Sequence, residues 1–300
     1  MIKSFTEMLE SAKAIEGKKA IIAGAQGQLP IEAAILAKSE GLCDSILVGD
    51  AKKINELLHS MAPEIADTFE VIDTGSDLVA ACKESVRLAK EERGHVILKG
   101  KADTAQLLRA VLDKENGIRT SKVICDILAY EHPDKILFMG DGGINLLPEL
   151  AEKVAIVNSG AQVARAFGIE NPKIALICAV EKVNPKMPAT IDAAIISAMN
   201  KRGQIKGCTV DGPLAFDNAI DEEACRIKGI NSPVGGKADV LIVPNIEAGN
   251  IYGKLLTYYC NYRVAHAVMG TKVPILIPSR ADSGETKMLC MAMGLLVANN

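Results

Sequence analysis

The sequence contains no tryptophan, and phenylalanine and tyrosine together account for only 3% of its 300 residues. A core with so few aromatic rings has to be built from Ala, Val, Ile and Leu, which suits helices packed on parallel sheets. Few rings are available to stack on bases, and the 34 basic and 37 acidic residues are closely mixed, with no basic block. Both features argue against binding of nucleic acid.

The chain also lacks a segment typical of membrane insertion or secretion. Its longest apolar run, 288–298, is too short to cross a bilayer, and residues 1–13 are charged and helical in pattern. The eight cysteines are scattered, with no CxxC and no paired Cys/His spacing. They indicate small buried side chains in a reducing compartment rather than disulfides or a zinc site. We expect a cytoplasmic protein that binds no membrane.

Short apolar runs alternate with segments of helical period from one end of the chain to the other. The pattern begins with KKAIIAG (18–24) and a helix at 30–41, and it ends with the strand VPILIPS (273–279) and a helix at 285–299. Continuous apolar strands between helices predict an α/β fold with largely parallel sheets covered on both faces. The segment 247–270 is predicted to be helical throughout.

Polar residues follow almost every predicted strand. In parallel α/β sheets, ligands bind outside the carboxyl ends of the strands, so these residues are expected to share one rim. Any one of them is explained as readily by capping of the next helix, but the charged and amide groups outnumber what caps need. The post-strand groups are 24–26, 100–103, 141–143, 181–184, 211–213, 245–247 and 279–282.

Common catalytic and nucleotide-binding motifs are missing from this rim. There is no GxxxxGK[ST], GxSxG or HExxH, and the first turn, GAQGQL (24–29), lacks the last glycine of GxGxxG. The rim acids Asp141, Asp211 and Asp282 lack the clustered spacing of a metal site, so no metal is predicted.

Cationic side chains are what remains at the rim. Arginine binds phosphate bidentately and keeps its charge at physiological pH, so the pattern predicts a cleft that binds an anion. Arg280 follows Ser279 directly, while Arg109 lies in a helical stretch where a solvated side chain is an equal alternative. The further cations are Lys99 or Lys101, Arg119, Lys182 and Lys186.

Several blocks resemble one known family. They are GKADTAQLLRAVLDKENGIR (100–119), EKVNPKMPATIDA (181–193), VDGPLAFDNAI (210–220), KADVLIVPNIEAGNIYGKLLTYY (237–259) and VPILIPSRADS (273–283). Together they resemble the phosphate acetyl/butyryl transferases, and SRADS and DKENGIR are more similar to the butyryl branch.

The resemblance implies two α/β/α domains of the isocitrate/isopropylmalate dehydrogenase type, with the active site in the cleft between them. Domain I is expected to comprise residues 1–135 and 272–300, and domain II, inserted at 136–271, is expected to dimerise. Charged and turn residues cluster at 131–135 and 270–272, in agreement with these breaks.

The resemblance also implies a reaction: transfer of a short acyl group, butyryl in preference, between coenzyme A and inorganic phosphate by direct attack in a ternary complex. Ser279 and Arg280 match the family's Ser-Arg pair, and Arg109 matches its arginine after the Ala-Asp-Thr-Ala segment. The family's catalytic aspartate does not carry over, because its position is Thr286 here. Asp282 or Glu285 is the expected base, although Asp282 also fits an N-cap of the last helix.

Further residues are expected to contact the substrate, and other functions compete with acyl transfer. Asp211, Asn245 and Lys182 are predicted to bind substrate, with turn and cap structure as the alternative for the first two. CoA is expected as a substrate, without a tightly bound cofactor, and the chain is expected to form a homodimer or a higher homo-oligomer. Competing functions are phosphate acetyl transfer, a metal- and NAD-dependent decarboxylating dehydrogenase of the same fold, and a non-catalytic CoA-binding regulator.

Overall fold

The computed structural model describes residues 1–300 and divides them into two compact units. The flanking unit consists of residues 5–122 and 264–300, and the central unit of residues 1–4 and 123–263. Both breaks fall earlier in the chain than the predicted ones at 135 and 271, and the domain assignment stays a prediction.

The strands and helices alternate along the chain, as the apolar pattern predicts. The strands are β1 (Lys19–Ala23), β2 (Asp44–Gly49), β3 (Glu70–Asp73), β4 (Val96–Lys99), β5 (Cys125–Glu131), β6 (Ile136–Gly140), β7 (Lys173–Ile177), β8 (Thr209–Leu214), β9 (Val240–Ile242), β10 (Val264–Met269) and β11 (Ile275–Leu276). The helices are α1 (Phe5–Lys13), α2 (Gln28–Ser39), α3 (Ala51–Met61), α4 (Leu78–Lys90), α5 (Thr104–Val111), α6 (Leu150–Ala166), α7 (Pro188–Lys201), α8 (Phe216–Ile220), α9 (Glu222–Lys228), α10 (Ile246–Lys254) and α11 (Gly284–Ala298).

The flanking unit is built on strands in the order β3-β2-β1-β4-β11-β10. All neighbours are parallel except β10 and β11, which pair antiparallel. Helix α11 is buried almost all round, which explains its continuous apolar sequence. At Gly294 it approaches the sheet so closely that an added Cβ would lie 2.8 Å from a methyl group of Leu276.

The central unit has the strand order β5-β6-β9-β7-β8. Only β5 and β6 pair antiparallel. Phe138 on β6 and Phe167 at the end of α6 make an edge-to-face contact with ring centroids 5.0 Å apart, one of the few aromatic contacts available to this composition. The largely parallel sheets are therefore confirmed in both units.

One predicted element is wrong in part. The helix expected over 247–270 ends with a π-helical turn at Leu255–Tyr259, and the residues after it form β10. Val268 pairs with Ile275 of β11, so a partner beyond the turn at 270–272 overrides the helical propensity of the Ala and Met residues. His266 consequently lies in a strand. None of the helices combines the length and the hydropathy that crossing a membrane requires.

Candidate active site

The carboxyl ends of β1, β4 and β11 lie side by side in the flanking unit, because the three strands are parallel neighbours. The loops that follow them, 24–26, 100–103 and 279–282, therefore share one edge of the sheet, as the rim rule predicts. Gly100 lies against the backbone of Gly24, where the space leaves no room for a side chain.

Residues 279–282 form a turn closed from both sides. The Asp282 backbone N–H donates to the Ser279 carbonyl at 3.2 Å, and the Ser279 N–H donates to the Asp282 carboxylate at 2.7 Å. Asp282 is buried, whereas Ser279 is half-buried. The alternative role of Asp282 as a helix cap is wrong, since Ser283 caps α11 by accepting the Thr286 N–H at 3.1 Å.

A buried lysine donates hydrogen bonds to the backbone of this turn. Lys287, on the first turns of α11, is only 3% exposed, and its ammonium donates to the carbonyl oxygens of Ser279 and Asp282. Burial lowers the pKa of Lys287 below its ordinary value, and the Asp282 carboxylate partly opposes that shift. Sequence reasoning missed this residue, although a single lysine in the apolar stretch of α11 was a usable signal.

Lys99, the last residue of β4, is a second buried lysine at this edge and is 4% exposed. Burial first, and then the positive charges of Arg280 and Lys287, lower the pKa of Lys99, while Asp282 acts in the opposite direction. Lys101, the other candidate at this strand end, is exposed.

The Arg280 side chain lies at the surface of the same edge, with 72% of its area exposed. Its guanidinium pairs with Asp103, which caps α5. The Asp103 backbone N–H donates to the Gln106 side-chain oxygen at 3.0 Å. Three cations thus lie together at this edge with the carboxylates of Asp103 and Asp282, and the Glu32 carboxylate also acts on Lys287. A cluster of cationic donors of this kind is suited to bind an anion. Ser279, Arg280 and Asp282 are brought together here.

Arg109 lies elsewhere in the flanking unit. It is exposed on α5, six residues after Asp103, which corresponds to about 9 Å along the helix axis. It lines a cavity of about 600 Å³ between α4 and α5, with an apolar floor that includes Val86 and Ala110. None of Ser279, Arg280 and Asp282 lines this cavity. Its other charged lining residues are Lys83, Glu84, Arg87, Lys90 and Asp113.

The other predicted substrate residues lie in the central unit. Residues 211–213 form part of β8, so the expectation that they follow a strand is wrong. Asn245 follows β9 and caps α10, accepting the Ala248 N–H at 3.0 Å. Asp211 is half-buried within β8, opposite Ala175 of β7, and Lys182 is exposed five residues after β7. Asn245 is thus a helix cap, as the alternative to substrate binding predicted. Its role in substrate binding stays a prediction.

Asp141 follows β6 in the central unit and carries a strongly perturbed carboxyl group. Its two oxygens accept the backbone N–H groups of Gly143, Ile144 and Asn145 and the Asn145 side-chain amide. Burial, and secondarily the Asp126 carboxylate, nevertheless raises the pKa of Asp141 to about 6. The structure contains no group of three or more His, Cys, Asp or Glu side chains placed to hold a metal ion.

The chain is similar to known proteins over most or all of its length. Residues 84–295 match the family model described as phosphate acetyl/butaryl transferase. The chain is 46% identical to a phosphate butyryltransferase of Clostridium acetobutylicum, with 100% of both chains covered. It is 40% identical to a phosphate acetyltransferase of Thermotoga maritima, with 98% of this chain and 100% of the relative covered.

Solved structures share the architecture. A branched-chain phosphotransacylase from Enterococcus faecalis V583 superposes with a TM-score of 0.83 at 28% identity, covering 94% of this chain and 99% of the other. A 4-hydroxythreonine-4-phosphate dehydrogenase from Burkholderia phymatum gives a TM-score of 0.52 at 14% identity, covering 92% and 97%, and concerns the fold alone. Both likenesses confirm the predicted α/β fold class. With its family model matched over residues 84–295 and its relatives matched over their whole length, the chain belongs to the phosphate acetyl/butyryl transferase family, a family of phosphate acyltransferases that use CoA as a substrate.

Proposed function

We propose that the protein transfers a short acyl group, with butyryl preferred, between coenzyme A and inorganic phosphate. The observation that carries the proposal is the cationic edge formed by Lys99, Arg280 and Lys287. The carboxylates that act on these cations are Asp103, Asp282 and, at Lys287, Glu32. A phosphate dianion is the kind of ligand that such a cluster of cationic donors binds.

The reaction needs two groups held close together. A phosphate oxygen attacks the thioester carbonyl carbon, the C–O bond forms, and the C–S bond breaks as the thiolate of CoA leaves and takes up a proton. Arg280 is exposed and already orients its guanidinium with Asp103, so it is suited to bind the incoming phosphate. The half-buried Ser279 hydroxyl is suited to donate to the carbonyl oxygen as negative charge develops there.

Two carboxylates remain candidates for proton transfer. Asp282 is buried in the turn and Glu285 is exposed on the first turn of α11. We propose Asp282, because it lies within the cationic cluster and holds Ser279 directly. In the reverse direction a carboxylate base would deprotonate the CoA thiol, which is only partly ionised near neutral pH. Loss of turnover in Glu285→Gln, with full turnover in Asp282→Asn, would reverse this choice.

Arg109 is proposed to bind a phosphate group of the nucleotide end of CoA. The cavity beside it combines an apolar floor with four basic side chains, Lys83, Arg87, Lys90 and Arg109, and two acidic ones, Glu84 and Asp113. Arg87 is already paired with Glu84 and Glu91, so Lys83, Lys90 and Arg109 are the basic groups proposed for the ligand. An adenine ring and the phosphates around it match that combination of apolar contact and positive charge. In the central unit, Asp211, Asn245 and Lys182 are proposed to contact the substrate.

The remaining expectations are proposals of the same kind. We propose a homodimer formed through the central unit, supported by exposed apolar side chains at Ile251, Leu255, Tyr258 and Tyr259. Light scattering that returns a monomer mass would reject the dimer. We also propose a cytoplasmic location and no tightly bound cofactor.

The preference for a butyryl or an acetyl group is tested by comparing the rates of CoA release from the two acyl-CoA substrates. We expect phosphate-dependent release of CoA from butyryl-CoA to exceed that from acetyl-CoA, in line with the butyryltransferase of Clostridium acetobutylicum. The second candidate, a phosphate acetyltransferase, is favoured by the likeness to the Thermotoga maritima relative. A higher kcat/KM for acetyl-CoA would establish it.

The site assignment is tested in the same assay. Arg280→Ala should lower turnover about 10²–10³-fold, the usual effect of removing a group that stabilises developing charge. Arg226→Ala is the matched control, because Arg226 has 73% of its side chain exposed and pairs with Glu223 on α9, comparable with the 72% of Arg280. Full turnover in both variants would refute the site.

A further inference from the structure

Lys99 is a buried lysine without a polar partner in the fold. The residue is 4% exposed and its ammonium makes no hydrogen bond and no ion pair, although its nitrogen is not among the unpartnered atoms that are sealed from solvent. The contrast with Lys287 is direct, since that lysine is equally buried but donates to two carbonyl oxygens. Buried lysines without a partner are rare, because moving an ammonium out of water costs free energy that nothing in the fold restores.

The surroundings of Lys99 add to this cost. Its charged neighbours are Arg280 and Lys287, which repel it, and Asp282, whose carboxylate already accepts the Ser279 N–H. A methionine of nearly the same length would fill the space without any charge penalty. The fold therefore does not need a cation at this position, which indicates a role outside folding.

The backbone places Lys99 at the carboxyl end of a parallel strand, the side of such sheets where ligands commonly bind. Lys99 is the last residue of β4, paired with Ala23 of β1 on one side. On the other side, Leu98 pairs with Leu276 of β11, three residues before Ser279. The chain turns at Gly100, packed against Gly24, so the strand ends there and the edge begins.

We propose that Lys99 is a substrate-binding residue, and that its ammonium donates a hydrogen bond to a phosphoryl oxygen of inorganic phosphate or of the acyl phosphate. The proposal rests on the proposed phosphate acyl transfer. The bound phosphoryl group supplies a partner for the Lys99 ammonium, and its two negative charges offset the repulsion among Lys99, Arg280 and Lys287.

Lys99 and Arg280 then have different tasks. Arg280 is exposed and paired with Asp103, so it can release its partner and take up phosphate from solvent. Lys99 is buried at the floor, where the low dielectric makes a single ammonium–phosphate contact strong. Its contribution to binding is accordingly directed at the phosphoryl group and not at CoA.

The test compares Lys99→Met with Lys101→Met. Lys101 lies two residues further along, is exposed, and serves as the matched control for loss of one lysine at this strand end. We expect Lys99→Met to raise the KM for phosphate at least 10-fold while the KM for the acyl-CoA stays within 2-fold. The thermal stabilisation of the ligand-free enzyme by added inorganic phosphate should be lost in Lys99→Met and kept in Lys101→Met.

Two further readouts separate binding from a structural role. Without phosphate, Lys99→Met should melt at the same temperature as the wild type or higher, because no contact is lost and a buried charge is removed. Since burial lowers the pKa of Lys99, activity that needs its charge should decline at a lower pH than expected for an ordinary lysine. In Lys99→Met the part of the decline that is due to Lys99 should be lost, while the part due to Lys287, whose pKa burial also lowers, should remain.

Three results would overturn the proposal: an unchanged KM for phosphate in Lys99→Met, equal phosphate stabilisation of variant and wild type, or no phosphate stabilisation of the wild type. A marked fall in the melting temperature of ligand-free Lys99→Met would show a structural role instead. The failure of the proposed function is distinguishable, because it appears as wild-type enzyme that releases no CoA in a phosphate-dependent manner from any acyl-CoA.

Discussion

Replacing Lys287 by methionine should loosen the turn that carries Ser279, Arg280 and Asp282. Methionine keeps most of the apolar packing of the lysine stem but removes the ammonium that donates to the two carbonyl oxygens. The Ser279 carbonyl still accepts the Asp282 N–H at 3.2 Å, so it keeps one partner. The Asp282 carbonyl loses the donor that holds the end of the turn against α11.

The size of the effect follows from these contacts. A hydrogen bond to a charged group contributes about 1.5–3 kcal/mol net of desolvation. The contact to the Ser279 carbonyl, at 3.4 Å, is too long to add much, so the loss is dominated by the contact to Asp282. A loss of about 2 kcal/mol lowers the melting temperature of a protein of 300 residues by roughly 3 °C, because the entropy of unfolding is about 2.1 cal/mol/K per residue. Lys99→Met, which breaks no hydrogen bond, should not show this fall.

Thermal unfolding by circular dichroism, with and without phosphate, measures both variants under one condition. Lys287→Met should also lower kcat more than it raises the KM for acyl-CoA, because the displaced turn misplaces Ser279 and Arg280 after substrate has bound. Lys287→Arg offers a partial rescue, as a guanidinium keeps donors for the carbonyl oxygens. A Lys287→Met protein with unchanged melting temperature and unchanged kcat would refute the reasoning about the turn.

Two further outcomes follow from the central unit. Gly249→Ala should lower the melting temperature, because its Cβ would lie 2.7 Å from the backbone of Gly142. Overpacking of this kind costs about 1–3 kcal/mol. The control is Gly253→Ala in the same helix, whose Cβ would meet the Leu128 side chain at 3.4 Å, and this variant should be neutral or stabilising. If both variants melt alike, the close approach is not real. The pKa of Asp141 is raised from an ordinary 3.8 to about 6, so the folded state keeps this proton at pH values where the unfolded chain has lost it. The free energy of unfolding should therefore fall by up to about 3 kcal/mol as the pH rises from about 4 to about 6. Urea unfolding across that range checks the slope, and a stability that rises with pH at this group, judged against Asp141→Asn, would contradict it.

The sequence alone was sufficient for the class of fold and for the family. Continuous apolar runs such as β1 and β4 are local signals, and they predicted parallel strands that the structure confirms. The rim rule placed 24–26, 100–103 and 279–282 together, since parallel neighbours end at one edge. The motif blocks predicted the family, which the matched relatives confirm.

Tertiary structure decided what depends on residues distant in the chain. β10 needed β11 as an antiparallel partner, so local propensity misassigned it. Whether Asp282 or Ser283 caps α11 depended on where the turn closes, and whether Arg109 joins Arg280 depended on the direction of α5. Lys99 and Lys101 are alike as sequence, yet one is buried beside Arg280 and Lys287 and the other is exposed. Burial and charge proximity are sums over neighbours brought in by the whole fold, so a pattern of adjacent residues cannot contain them.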